Sequence, residues 1–170
     1  MKKILIFDTS ILCVWLEVPQ METCGPADER WDKKRVDKKI NQETREATTF
    51  VLPLASIIET GNHIAQAVHS RRQLGMALAD LMRKSADQQT PWAAFSEQAG
   101  LWAPEKLKAL AGVWPELAVQ KLSLGDATIK DVAEYYAEMG FAVEILTGDQ
   151  GLKSYEPAAP PEIPRRRRRK

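Results

Sequence analysis

Two short strand-like runs that lead into aspartates constrain this chain more than any other feature. Ile4-Leu5-Ile6-Phe7 runs directly into Asp8, and Ala142–Leu146 leads through Thr147-Gly148 to Asp149. A continuous apolar run as short as Ile4–Phe7 reads as a strand buried on both faces, as in a parallel sheet. A charged residue at the end of such a strand has no packing role. In open parallel sheets ligands gather outside the carboxyl ends of the strands, which is where both aspartates are expected.

Between these runs the pattern alternates strand and helix. Asp8-Thr9-Ser10 offers capping chemistry ahead of Ile11–Leu16, and Pro19–Pro26 reads as a loop. Ala27–Glu46 is dense in charge of both signs with few apolar residues, the pattern of a solvent-exposed helix. Thr48–Pro53 is a second strand candidate. Leu54, Ile57, Ile58, Gly61, Ile64, Ala65 and Val68 then recur at helical spacing. Further helices are expected over Arg72–Lys84, Pro104–Ala111 and Asp126–Met139, the last ending at Gly140. Thr90–Ala103 is rich in tryptophan and fits no single period. The alternation predicts a three-layer α/β fold around a mainly parallel sheet, with no internal repeat.

Charge divides the chain unevenly. The net charge of +1 includes Arg165–Lys170, and without those six cations 18 basic residues face 23 acidic ones. The expected organisation is a folded domain over 1–156, then a Pro-rich linker and basic tail over 157–170. A run such as Arg165, Arg166, Arg167, Arg168, Arg169 and Lys170 suits sequence-independent contact with an acidic polymer such as RNA. Met1-Lys2-Lys3 before an apolar run resembles a secretion signal, but Asp8 interrupts it and no small-residue cleavage site follows. No apolar run is long enough to span a bilayer. The expectation is a cytoplasmic protein that does not engage membranes, with Cys13 and Cys24 as free thiols.

Four carboxylates are the candidate chemistry: Asp8 and Asp149 after the strands, Glu59 on a helix, and Asp126 at the start of another. Carboxylates brought together repel and raise one another's pKa, so a cluster calls for a counter-charge. A hard divalent cation, Mg²⁺ or Mn²⁺, is the natural one, because it prefers oxygen ligands. Such a site orients and deprotonates water beside a phosphodiester. Each acid also has a plainer reading. Asp126 would serve as a helix N-cap, Glu59 would pair with His63 one turn on, and Asp149 would be ordinary turn chemistry.

The segments Phe7-Asp8-Thr9-Ser10-Ile11-Leu12, Ser56-Ile57-Ile58-Glu59, Leu124-Gly125-Asp126-Ala127-Thr128-Ile129 and Leu146-Thr147-Gly148-Asp149-Gln150-Gly151-Leu152 stand in an order that resembles the PIN domain family. That family includes the toxins of VapBC toxin–antitoxin pairs. The resemblance spans roughly 2–155 and implies a PIN-like three-layer α/β/α fold with metal-dependent ribonuclease activity. By that comparison Asp8 and Asp126 are the principal ligands of Mg²⁺ or Mn²⁺, with Glu59 and Asp149 completing the acidic pocket. Thr147 or Ser10 would position a carboxylate by hydrogen bonding, and a hydroxyl at either place also reads as a turn or cap residue. Implied partners are an RNA substrate, an antitoxin protein and a second copy of the chain. Gly125 and Gly148 depart from the larger residues often seen beside those aspartates. The chain is also longer than the compact toxins, through Ala27–Glu46 and the stretch around Ser70–Ala103. The rival expectation is a non-catalytic member of the same fold that binds RNA or protein.

Overall fold

The computed structural model describes residues 2–160, so the expectations for Arg165–Lys170 lie outside the described residues. In chain order the elements are β1 (Lys3–Phe7), α1 (Thr9–Leu16), β2 (Thr23–Cys24), β3 (Trp31–Asp32), α2 (Lys33–Arg45), β4 (Thr49–Val51), α3 (Leu54–Gln66) and α4 (Arg71–Ala86). A 3-10 helix (Phe95–Trp102), α5 (Pro104–Val119), α6 (Leu124–Glu138), β5 (Ala142–Leu146) and α7 (Gln150–Lys153) follow.

The central sheet has the order β4-β1-β5 and both pairings are parallel. Its middle strand carries the continuous apolar run, as burial on both faces requires. Ile4 and Ile6 pack on one side with Val51, Val143 and Ile145 of the neighbouring strands, against Ile129, Val132, Ala133 and Tyr136 of α6. Leu5 and Phe7 point the other way, into a cluster with Ile11, Leu12 and Val14 of α1, Val36 of α2 and Leu81 of α4. Helices therefore cover both faces of a parallel sheet, which is the α/β arrangement expected from the alternation.

Parallel pairing sets the ends of the strands level. Phe7 is in register with Leu146, and the Asp8 amide donates to the Leu146 carbonyl at 3.1 Å. The residues that follow β1 and β5 thus emerge side by side on one edge of the sheet.

Two segments differ from the sequence expectation in an instructive way. Within Thr90–Ala103, Phe50 donates to the Pro91 carbonyl and accepts from the Ala93 amide, both at 2.8 Å. This piece of chain covers the backbone of β4 that would otherwise be an open sheet edge. Trp92 is buried there against Phe7 and Phe50, with ring centroids 5.4 and 5.6 Å away. The charged 27–46 segment is not simply a solvated helix either. It begins with a small antiparallel β2–β3 pair, and α2 buries Val36 and Glu43 completely. Glu43 is tolerated inside because Lys3 at 2.6 Å, Lys39 at 2.7 Å and the Thr48 hydroxyl at 2.6 Å all meet it.

Candidate active site

Asp8 leaves β1 and caps α1, with the Ser10 amide donating to its Oδ2. The same oxygen accepts from the Ser10 hydroxyl at 2.6 Å and the Thr147 hydroxyl at 2.7 Å. Oδ1 takes no hydrogen bond among the described residues, and it is not among their sealed, unpartnered polar atoms. A buried carboxylate is thereby held by one oxygen while the other stays open for a ligand.

Glu59 approaches from α3. The hydroxyl of Thr9, next in sequence to Asp8, donates to Glu59 Oε2 at 3.0 Å. Glu59 Oε1 lies where a side chain on Gly125 would begin, so the glycine is what admits this carboxylate to the start of α6. Asp126 is the next residue. Its carboxyl is raised above the ordinary range by burial, which a hydrogen bond from Ser123 opposes and the charges of Asp8, Asp149 and Glu59 reinforce.

Asp149 sits on the exposed rim. Its amide donates to the Thr147 hydroxyl at 2.9 Å, and its Oδ1 caps α7 by accepting from Gly151 at 2.7 Å and Leu152 at 3.2 Å. Gly148 beside it is required by close packing. A side chain there would begin 2.5 Å from Cys24 Sγ and 2.8 Å from the Gly25 amide nitrogen.

The fold therefore brings the four acids near the same edge of the sheet through single-residue steps, Asp8 to Thr147 to Asp149 and Thr9 to Glu59 to Gly125 to Asp126, and Asp126 feels the charges of the other three. Two plainer roles give way. The N-cap of α6 is Ser123, whose hydroxyl accepts from the Asp126 amide at 3.0 Å, so Asp126 stands inside the first turn and is not itself the cap. Glu59 makes its contact with Thr9, and no ion pair with His63 occurs among the described residues. For Asp149 the plainer role holds, since it caps α7. Asp131, five residues beyond Asp126, lies in a separate hollow with Lys106, Glu134 and Glu138.

Three contributors carried no sequence signal. Thr9 reads as part of a capping run, Cys24 as a loop thiol, and Gly125 as a departure from pattern. Only the tertiary approach of Glu59 and Cys24 gives the two glycines their purpose.

An all-oxygen set of carboxylates and hydroxyls is the chemistry a hard cation takes. Among the described residues, however, no three Asp, Glu, His or Cys side chains are drawn together into a ready-made cage. Mg²⁺ commonly keeps several waters and takes one or two carboxylates directly, so such a cage is not a requirement for it. Beside the acids, an apolar groove of about 430 Å³ runs from Glu59 and Gly125 between Ile58, Leu107, Trp102 and Trp114.

No protein-family model, curated protein or solved structure matches this chain.

Proposed function

We propose that the chain is a metal-dependent endoribonuclease with a PIN-like fold, hydrolysing phosphodiester bonds of RNA. The observation that carries this reading is Asp126, a half-buried carboxylate whose proton affinity is raised in part by Asp8, Asp149 and Glu59 around it. Such a grouping does not serve packing, and carboxyls raised by burial and neighbouring charge are candidates for functional sites.

In this reading Asp8 and Asp126 would hold Mg²⁺ or Mn²⁺, with Glu59 and Asp149 anchoring its waters. The ion would supply a nucleophilic water near neutral pH and neutralise charge on the phosphodiester. The protein's part is positional. Ser10 and Thr147 fix Asp8 from one side, and Thr9 turns Glu59 toward Asp126. Asp149 is held by the α7 amides, so its remaining oxygen has one direction in which to act.

The test is purified full-length protein with end-labelled single-stranded RNA and Mg²⁺ or Mn²⁺. Internal cleavage that EDTA abolishes is expected. A folded protein that cuts no RNA with either metal would overturn the reading. The second reading, a non-catalytic RNA-binding or protein-interaction module, is favoured by the lack of a ready-made cage among the described residues. It predicts RNA retention without cleavage. The resemblance to VapBC toxins extends the proposal to a toxin with an antitoxin partner. Growth arrest on expression, relieved by a neighbouring gene, is the corresponding observation.

A further inference from the structure

The charges of α2 look evenly mixed in sequence, but folding separates them by sign. Asp32 is the N-cap and accepts from the Arg35 amide at 2.8 Å. Asp37 is taken by Lys33 and by the Trp15 indole, each at 3.1 Å. Glu43 points into the protein, onto Lys3 and Lys39. The inward and terminal positions thus consume the acids.

The cations remain outside. Lys34, Arg35, Lys38 and Arg45 are exposed, and none joins an ion pair among the described residues. Lys34, Lys38 and Arg45 follow at steps of four and seven, which places them along one face of the helix. At 1.5 Å per residue they are spaced about 6 Å and about 10 Å apart along the axis. Two hollows of about 380 and 450 Å³ lie along this face, sharing Lys38 and Gln42. Acids at their margins are occupied: Glu144 by Lys3 and Lys39, and Glu46 by Gln42. The exposed acids nearest in sequence are Asp32, which caps the helix, and Glu46, which Gln42 meets, with Asp28 and Glu29 beyond them in the β2–β3 connection.

One end of this face lies beside the chain that packs on Gly148. The Arg35 guanidinium lies 4.1 Å over the Trp31 ring and donates to the Arg30 carbonyl at 3.0 Å, so two contacts fix its position. A side chain on Gly25 would begin 3.5 Å from Trp31 and 3.7 Å from the α-carbon of Gly148, the residue before Asp149. The Arg35 end of the basic face therefore lies next to the chain that packs on Gly148, the neighbour of Asp149.

We propose that Lys34, Arg35, Lys38 and Arg45 form a track for single-stranded RNA, running from the β2–β3 hairpin along α2. That this strand is the substrate of the acidic cleft rests on the ribonuclease reading; the binding does not. A polyanion cannot approach clustered carboxylates without cations nearby, and these are positioned to supply them. A guanidinium fixed beside an indole also offers unpaired bases a planar cation and an aromatic ring, which an acidic peptide would leave unused. Trp31 is a positioning residue for Arg35.

The experiment measures anisotropy of a fluorescein-labelled oligouridylate on full-length protein in EDTA, so that no metal-dependent cleavage intervenes. The triple variant Lys34→Glu, Lys38→Glu, Arg45→Glu is compared with wild type and with Arg72→Glu, Arg83→Glu, Lys106→Glu, a charge-matched control on other helices. Thermal unfolding checks each fold. The track predicts at least about a tenfold loss for the first triple and a salt slope shallower by about 2, with the control near wild type. Arg35→Lys, which keeps charge but loses the plane, weakens binding further than salt alone explains. Equal losses in both triples would reduce the effect to diffuse charge and overturn the track. So would a polyglutamate of equal charge competing as well as RNA. Intact cleavage with RNA binding unaffected by the first triple sinks the track alone. Lost binding in a protein that never cuts sinks the ribonuclease reading alone.

Discussion

The Thr147 hydroxyl donates to Asp8 Oδ2 at 2.7 Å, joining residues 139 apart in sequence at the ends of two parallel strands. The same oxygen of Thr147 accepts the Asp149 amide at 2.9 Å. One hydroxyl thus orients two of the four acids. Thr147→Val removes both bonds at nearly constant volume and should lower metal affinity and cleavage about 10- to 100-fold, as loss of an outer-shell partner commonly does. Thr147→Ser keeps the hydroxyl and should restore both. Titration of Mn²⁺ alongside the cleavage rate checks this, and a fully active valine variant would remove the orienting role.

Glu43 sets the acid limit of the fold. Burial alone would raise its pKa, but hydrogen bonds from Lys3, Lys39 and Thr48 outweigh it and bring the carboxyl down to about 2, against an ordinary 4.5. A depressed carboxylate contributes stability above its unfolded value and loses it as the pH falls through the folded one. The contribution is of order 3 kcal/mol. Wild type should therefore weaken between about pH 4.5 and 2, while Glu43→Gln is less stable at pH 7 and loses less across that window, keeping the share of Glu144, whose carboxyl burial would raise but Lys3 and Lys39 hold below the ordinary value. Denaturant unfolding at a series of pH values decides it.

How much of this was legible in the sequence follows from what each residue touches. The strands β1 and β5 and the acids after them were visible, because burial on both faces demands an apolar run and a terminal charge then has no packing use. The helix α6 was visible from Ile129, Val132, Ala133 and Tyr136, although Ser123 rather than Asp126 proved to be its cap. The sheet-edge role of Pro91–Ala93 was not visible, since backbone pairing leaves no side-chain period. Nor was the sorting of charge on α2. Asp37 and Glu43 look like any exposed acids until Trp15, Lys3 and Thr48 arrive from elsewhere in the chain.

The two glycines of the site should respond in opposite ways to alanine. At Gly125 the new methyl meets Glu59 Oε1, the far end of a flexible side chain. The carboxylate can swing aside, so the fold survives, and replacing a helical glycine gains up to about 1 kcal/mol. Cleavage should fall because Glu59 leaves Asp126. At Gly148 the methyl meets Cys24 Sγ and the backbone of Gly25, which cannot swing away. Gly148→Ala should cost about 1–3 kcal/mol, the usual range for overpacking. Melting temperatures and cleavage rates of the pair test the contrast, and equal stability of the two variants would contradict it.

Asp126→Asn separates charge from structure most sharply. Burial and the neighbouring Asp8, Asp149 and Glu59 raise its carboxyl above the ordinary 3.8, with Ser123 opposing. A raised carboxylate contributes stability that is fully present below the unfolded value and lost as the pH rises through the folded one. At neutral pH the ionised group therefore strains the metal-free fold, and asparagine relieves it. Ser123 remains the cap, and asparagine can still accept from its hydroxyl, so only the charge of that hydrogen bond is lost. The variant should melt at or above the wild-type temperature at pH 7 without metal, and the difference should shrink toward pH 3. Cleavage should drop by at least about 100-fold, since a direct ligand matters no less than an outer-shell partner. Asp8→Asn should lose activity to a similar degree while still capping α1, as asparagine does this about as well as aspartate. An Asp126→Asn protein that cuts at the wild-type rate would place the chemistry elsewhere. One that loses activity only by unfolding would return Asp126 to a structural role.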